Sequence, residues 1–210
     1  KSTLAKDLAK EYGFIYIDSG AMYRSVALFC IQNDIDVRKS EDVVNILDKI
    51  HIDFEVKNKQ FCILLNRVDV TERIIKIDVS SIVSEVAAIS EVRKKLVKIQ
   101  QAIGADKGVI MDGRDIGTVV FPDAEVKFFV TAHLNIRADR RFQELTYKKM
   151  PATLDVVKSN LTHRDTIDSS RADSPLRQAE DAILIDNSFM GRAEQLFIAK
   201  KIIEHKIKDQ

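Results

Sequence analysis

The chain has 210 residues and a formal net charge of +1, with acidic and basic side chains both abundant and nearly balanced. That length buries a real core and suits one domain carrying a sizeable insertion. The balance excludes the strong basic excess by which proteins track long nucleic acid, while leaving room for a local arginine cluster that holds one small anion.

The chain begins Lys1-Ser2-Thr3 rather than with Met, so further residues are expected upstream. Leu4, Ala5, Leu8 and Ala9 recur at helical spacing, and Gly13 is placed to end that helix. Phe14 to Asp18 is a short β-rich run. Ser19-Gly20 reads as a turn, Ala21 to Gln32 as a second helix, and residues 41–50 as a short third. From His51 to Val70 the pattern alternates, with Ile52–Val56 and Phe61–Leu65 separated by Lys57-Asn58-Lys59-Gln60. This predicts a small antiparallel meander inserted in an α/β chain.

One helix is then predicted over Ser80–Ile103, closed by Gly104. Val109–Asp112 and Val126–Val130 are continuous apolar runs suited to parallel strands. Helices over 134–149 and 153–168, a last strand over Ala182–Asp186 and a closing helix over Arg192–Lys206 complete the pattern. Strands alternating with helices imply a parallel sheet covered on both faces. Cys30 and Cys62 sit in apolar runs without a CxxC partner and read as small hydrophobes. His51, His133, His163 and His205 have no ligand spacing. Nothing resembles a membrane span or a secretory signal, so the expected setting is cytoplasmic.

Three segments carry candidate chemistry. Lys1-Ser2-Thr3 directly before an amphipathic helix has the form of the end of a phosphate-binding loop, G-x-x-x-x-G-K-[ST]. There the lysine reaches the phosphates and the serine hydroxyl ligates Mg²⁺. Asp18-Ser19-Gly20-Ala21-Met22-Tyr23-Arg24 follows a strand and opens a helix, where ligands of open α/β sheets bind. Arg24 is suited to bidentate contact with a phosphate monoester. Asp112-Gly113-Arg114-Asp115-Ile116-Gly117-Thr118 places two carboxylates and an arginine after a buried strand, where they need partners.

These blocks in this order, the run Val119-Val120-Phe121-Pro122-Asp123-Ala124, and the later Arg164-Asp165-Thr166-Ile167-Asp168-Ser169-Ser170-Arg171 resemble the bacterial-type cytidylate kinases over essentially the whole chain. The resemblance implies a three-layer P-loop kinase fold with a parallel core sheet, formed from residues 1–33, 105–136 and 172–210. It also implies an acceptor-binding insertion over about 34–104, which accounts for the antiparallel strands, and a short lid over about 137–171.

It further implies transfer of phosphate from ATP to CMP, and to dCMP, with Mg²⁺, in a monomer that needs no nucleic-acid polymer or membrane. Lys1, Ser2 and Thr3 would hold ATP, Ser2 the metal, and Arg137 and Arg141, with Arg140 on the same helix, would begin the lid. Arg24 and Arg114 would hold the CMP phosphate beside Ser19. Ser84, Arg93 and Asp115 would read cytosine, while Arg164, Asp168 and Arg171 would contact ribose and acceptor phosphate. Lys1, Arg114, Arg164 and Arg171 are thereby the expected catalytic cations. Glu72-Arg73-Ile74-Ile75-Lys76 departs from the family's Glu-Ile-Arg-Thr pattern, with its arginine displaced.

Overall fold

The computed structural model describes residues 1–57, 60–105 and 108–208. Helix α1 (Ser2–Tyr12) buries Leu4, Ala5, Leu8 and Ala9, and stops at Gly13, whose φ of 68° lies in the left-handed region that glycine adopts freely. Strand β1 (Ile15–Asp18) leads directly into α2 (Ser19–Gln32). Ser19-Gly20, expected as a turn, is instead the first turn of α2, because the Asp18 carboxylate caps it by accepting the Ala21 N–H at 3.1 Å.

Helix α3 (Ser40–Ile46) continues as a 3₁₀ turn over Leu47–Lys49. The predicted meander follows, as antiparallel β2 (Ile52–Lys57), β3 (Gln60–Leu65) and β4 (Val68–Asp69). Of its predicted separator, Lys57 and Gln60 pair across the strands, and Asn58 and Lys59 lie outside the described residues.

The long helix expected over Ser80–Ile103 is two helices, α4 (Ile77–Ala88) and α5 (Ser90–Ile103). Ile89 between them is extended, with φ −76° and ψ 118°. No glycine or proline marks this break. Its cause is tertiary: the buried Arg93 donates from Nη1 to the carbonyl of Ala87 at 3.3 Å, satisfying a group that the continued helix would have bonded.

Strand β5 (Val109–Asp112) is followed by one wide helical turn over Ile116–Val120. Strand β6 (Phe128–Thr131), helices α6 (Leu134–Tyr147) and α7 (Leu154–Ser170), strand β7 (Ile183–Asp186) and α8 (Arg192–Lys208) complete the order.

The strand pairs predicted to be parallel are parallel. Strand β1 runs beside β5 from Ile15↔Val109 to Asp18↔Asp112, and β6 beside β7 from Phe128↔Ile183 to Thr131↔Asp186. Among the described residues they form two separate two-stranded ladders rather than one continuous sheet. Each pair is joined by helices, as parallel pairing requires.

The largest core joins α2, α4 and α5 to the antiparallel strands through Met22, Val26, Leu28, Ile63, Leu65, Val79, Val86 and Leu96. The residues between β1 and β5 therefore share their core with α2. A second cluster (Leu4, Leu8, Ile185, Ala199) ties α1 to β7 and α8, and a third (Ala138, Leu145, Val157) ties α6 to α7. No helix among the described residues is long and apolar enough to cross a membrane.

Candidate active site

The carboxyl ends of β1 and β5 bring two carboxylates into register, Asp18 and Asp112. They separate by facing different partners. Asp18 turns to α2, accepting Arg24 Nη2 at 2.7 Å on Oδ2 and the Ala21 N–H on Oδ1. Burial alone would raise its pKa, but the Arg24 guanidinium and these hydrogen bonds hold the carboxyl below its ordinary value. Asp112 turns to α1, accepting the Ser2 hydroxyl at 2.7 Å on Oδ2 and the Tyr16 hydroxyl at 2.7 Å on Oδ1. Burial, and then the charge of Asp18, push Asp112 upward despite those donors. The Tyr16 phenol is itself driven up by burial and by the adjacent Asp112.

Ser19, 3% exposed, donates to the Asp112 carbonyl at 2.8 Å and so fastens α2 to the end of β5. Gly113 permits this approach. A Cβ there would lie 2.3 Å from Ser19 Oγ and 2.7 Å from Ile116 Cδ1.

Beyond the strand ends, Asp168 on α7 is a buried hub. Its Oδ2 accepts Arg114 Nε at 2.9 Å, and its Oδ1 lies 3.6 Å from Arg171 Nη1 and 3.4 Å from the donating Ser84 hydroxyl. Arg171 is fixed from behind by the Ser174 carbonyl, which accepts its Nε at 2.8 Å. Next to the hub, Ser84, Arg93 and Asp115 are all buried, and Arg93 and Asp115 are ion-paired. The Arg93 guanidinium also stands 5.7 Å from the centre of the Tyr23 ring. Burial raises the Asp115 carboxyl, with Arg93 and then Arg171 opposing.

Cations outnumber their counter-charges here. Arg164 is pushed down to about 10 by burial and then by Arg114, with Arg24 and Arg141 adding and Asp168 opposing. Lys1 is exposed as a residue, yet its ammonium lies among these cations. Desolvation and then Arg114 push it down to about 7, against Asp112. Arg24, Arg93 and Arg164 each bury an Nε that meets no acceptor among the described residues. Buried donors are nearly always bonded, so these three retain donor capacity that the described residues leave unused.

The structure thus brings together Lys1, Ser2, Ser19, Arg24, Ser84, Arg93, Arg114, Asp115, Arg164, Asp168 and Arg171. Thr3 lies one residue further along the exposed start of α1. The first arginines of the expected lid are engaged elsewhere. Arg137 forms a bidentate pair with Asp165, at 2.6 and 3.1 Å, and donates to the Ala132 carbonyl. Arg140 donates to the Asn187 side chain and backbone. Arg141 bonds Glu144 and the Ile75 carbonyl, at 2.8 Å each, although it remains near enough to bear on Arg164. The displaced Arg73 pairs with Asp78.

Residues 1–206 match the family described as cytidylate kinase. The chain belongs to the cytidylate kinase family. It is 50% identical to the cytidylate kinase of Phocaeicola vulgatus over 200 residues, covering 93% of this chain and 87% of that protein. It is 46% identical to that of Flavobacterium johnsoniae over 213 residues, covering 99% and 93% respectively. A third relative, the cytidylate kinase of Cytophaga hutchinsonii, is 49% identical over 198 residues, covering 93% of this chain and 85% of its own length. These relatives are phosphotransferases, and the paired parallel strands of this chain are consistent with the fold of that family.

The cleft of this family member also suits a small hard cation. Ser2 and Asp112 offer hydroxyl and carboxylate oxygens side by side, and no cluster of three acidic, His or Cys ligands exists among the described residues. Few protein oxygens, with the remaining positions left to water and phosphate, is the ligand set Mg²⁺ prefers. In the sequence Tyr16 passes for one more β-former, although the structure sets its hydroxyl on Asp112. The available signal was a hydroxyl in a buried strand, which needs a polar partner.

Proposed function

We propose that this chain transfers the γ-phosphoryl group of ATP to CMP, and to dCMP, giving ADP and the cytidine diphosphate. The observation that carries the reading is the buried, acceptor-less Nε of Arg24, Arg93 and Arg164 along one cleft. Phosphoryl transfer asks little covalent chemistry of a protein. It needs two anionic substrates held in line while cations offset their repulsion.

In this reading Lys1, Ser2 and Thr3 hold the ATP phosphates, and Arg137 and Arg141 leave their present carboxylate partners to join them as the lid closes. Arg24, Arg114, Arg164 and Arg171 hold the acceptor phosphate and ribose, with Ser19 lining the pocket and Asp168 keeping the guanidinium groups in place. Ser84, the unbonded Nε of Arg93 and Asp115 offer a hydroxyl, a donor and a carboxylate, which match the ring acceptors and exocyclic amine of cytosine. Ser2 and Asp112 would hold Mg²⁺, which supplies charge neutralisation at the phosphates.

Residues 34–104 and 137–171 act as the acceptor-binding insertion and the lid. Their α4 and α7 already meet through Ser84 with Asp168, and through Glu85 with His163 at 2.7 Å. Closure of the two on their substrates excludes water and suppresses ATP hydrolysis. We place the enzyme in the cytoplasm as a monomer.

The test is an ADP-release assay on the natural full-length protein with CMP, dCMP, UMP and AMP offered in parallel. CMP and dCMP should turn over fastest. UMP, which lacks the exocyclic amine, should have kcat/KM lower by at least about tenfold, because Asp115, already paired with Arg93, then faces a carbonyl of the base rather than a donor. Equal turnover of UMP removes the base-reading assignment, and silence with all four acceptors removes the kinase.

A further inference from the structure

We propose that Tyr16 is a positioning residue that holds the Asp112 carboxylate on the Ser2 side of the cleft, where the divalent cation accompanying ATP is taken up. This rests on the phosphoryl-transfer reading above, and it adds a residue outside the segments that carry the candidate chemistry.

Tyr16 is 9% exposed, and its ring packs among Ala5 and Ala9 of α1 and Ile110 of β5. From the outer side Lys6 Nζ stands 5.4 Å from the ring centre. The ring is therefore fixed before its hydroxyl is considered. That hydroxyl donates to Asp112 Oδ1 at 2.7 Å while the Ser2 hydroxyl donates to Oδ2 at 2.7 Å, so the carboxylate is gripped at both oxygens.

Two features of this grip matter. First, other charges act on Asp112: Lys1 attracts it, and Asp18, in register beside it, repels it. A carboxylate held only by Ser2 would be free to swing toward Lys1. Second, the restraint is neutral. A lysine or arginine in place of Tyr16 would hold the carboxylate equally well but would cancel the charge that attracts a metal. A phenol on a packed ring fixes direction and leaves the charge in place. Groups that orient a metal-facing oxygen in this way typically contribute tenfold or more to metal affinity.

The test is Tyr16→Phe in the natural full-length protein, which removes the hydroxyl and keeps the packed ring. Isothermal titration of ATP binding is run with and without Mg²⁺ and with no acceptor present. ATP alone should bind Tyr16→Phe as it binds the unsubstituted protein. The strengthening of ATP binding by Mg²⁺ should fall about tenfold, and the Mg²⁺ concentration for half-maximal turnover of CMP should rise by a similar factor.

Tyr12→Phe serves as control, because the Tyr12 hydroxyl has no hydrogen-bond partner among the described residues; it should change neither quantity. An undiminished effect of Mg²⁺ in Tyr16→Phe overturns the proposal, and so does an equal loss of ATP affinity with and without the metal. The titration needs no acceptor. A protein that couples ATP to Mg²⁺ through Tyr16 yet leaves CMP untouched would therefore refute the substrate and spare this inference.

Discussion

The two parallel ladders end alike and behave differently. Strands β1 and β5 finish on Asp18 and Asp112, and strands β6 and β7 finish on Thr131 and Asp186. At the second end the polar groups that follow β7 close on other protein groups. Asp186 Oδ1 accepts the Ser188 N–H and hydroxyl at 2.9 and 2.6 Å, and Ser188 Oγ accepts the His133 N–H at 2.8 Å. Asn187 donates to Gln195 at 2.9 Å and receives Arg140. At the first end the cations face one another, and three guanidinium Nε groups meet no acceptor among the described residues. A strand ending in aspartate is thus no sign of an acceptor site by itself. What distinguishes one is polar capacity left over once the protein's own bonds are made.

The sharpest way to break that contrast is Arg114→Met. Kcat/KM for CMP should fall on the order of 10³-fold, the scale on which an arginine stabilises a transferring phosphoryl group. A fall of less than about tenfold would mean that the leftover cations at the β1–β5 end are not acceptor-binding.

Next in size is Asp115→Asn, which strands the buried Arg93 without its counter-charge. Chemical denaturation should show a loss of about 3 kcal/mol, with Arg93→Met/Asp115→Leu recovering most of it. Wild-type stability in the single variant would show that Arg93 is balanced by something other than Asp115. The smallest effect should come from the other ladder. Ser188→Ala should cost about 1 kcal/mol of stability while kcat/KM for CMP stays within about threefold of wild type. A large loss of CMP turnover there at unchanged stability would erase the difference between the two ends.

Much of this was legible in the sequence because it is local. The stripe Leu4, Ala5, Leu8, Ala9 and the left-handed Gly13 fix α1, and the apolar runs ending in aspartate fix β1, β5 and β7. Of the motif residues read through family resemblance, Ser19, Ser84, Arg93, Arg114, Asp115, Asp168 and Arg171 are tied to one another or to the β5 end, while Arg137, Arg140 and Arg141 bond elsewhere. What escaped was set by partners distant in sequence. Nothing around Ile89 announces the break between α4 and α5, which depends on Arg93 reaching Ala87 and Asp115. Ser19-Gly20 looked like a turn because small residues usually make one, and the Asp18 cap turned them into helix. Tyr16 was invisible as chemistry because its partner lies 96 positions away.

Arg93 holds two offices at once. It caps α4 through the Ala87 carbonyl and, on the proposed reading, it faces the base. Any replacement that changed the ligand's edge contacts would also change the joint between α4 and α5, and with it the placement of Ser84. A shift of base preference in this lineage cannot proceed through that one position in isolation. It would have to travel with compensating changes along the helix pair, so ancestral drift in specificity should leave its trace as linked substitutions rather than as a lone exchange.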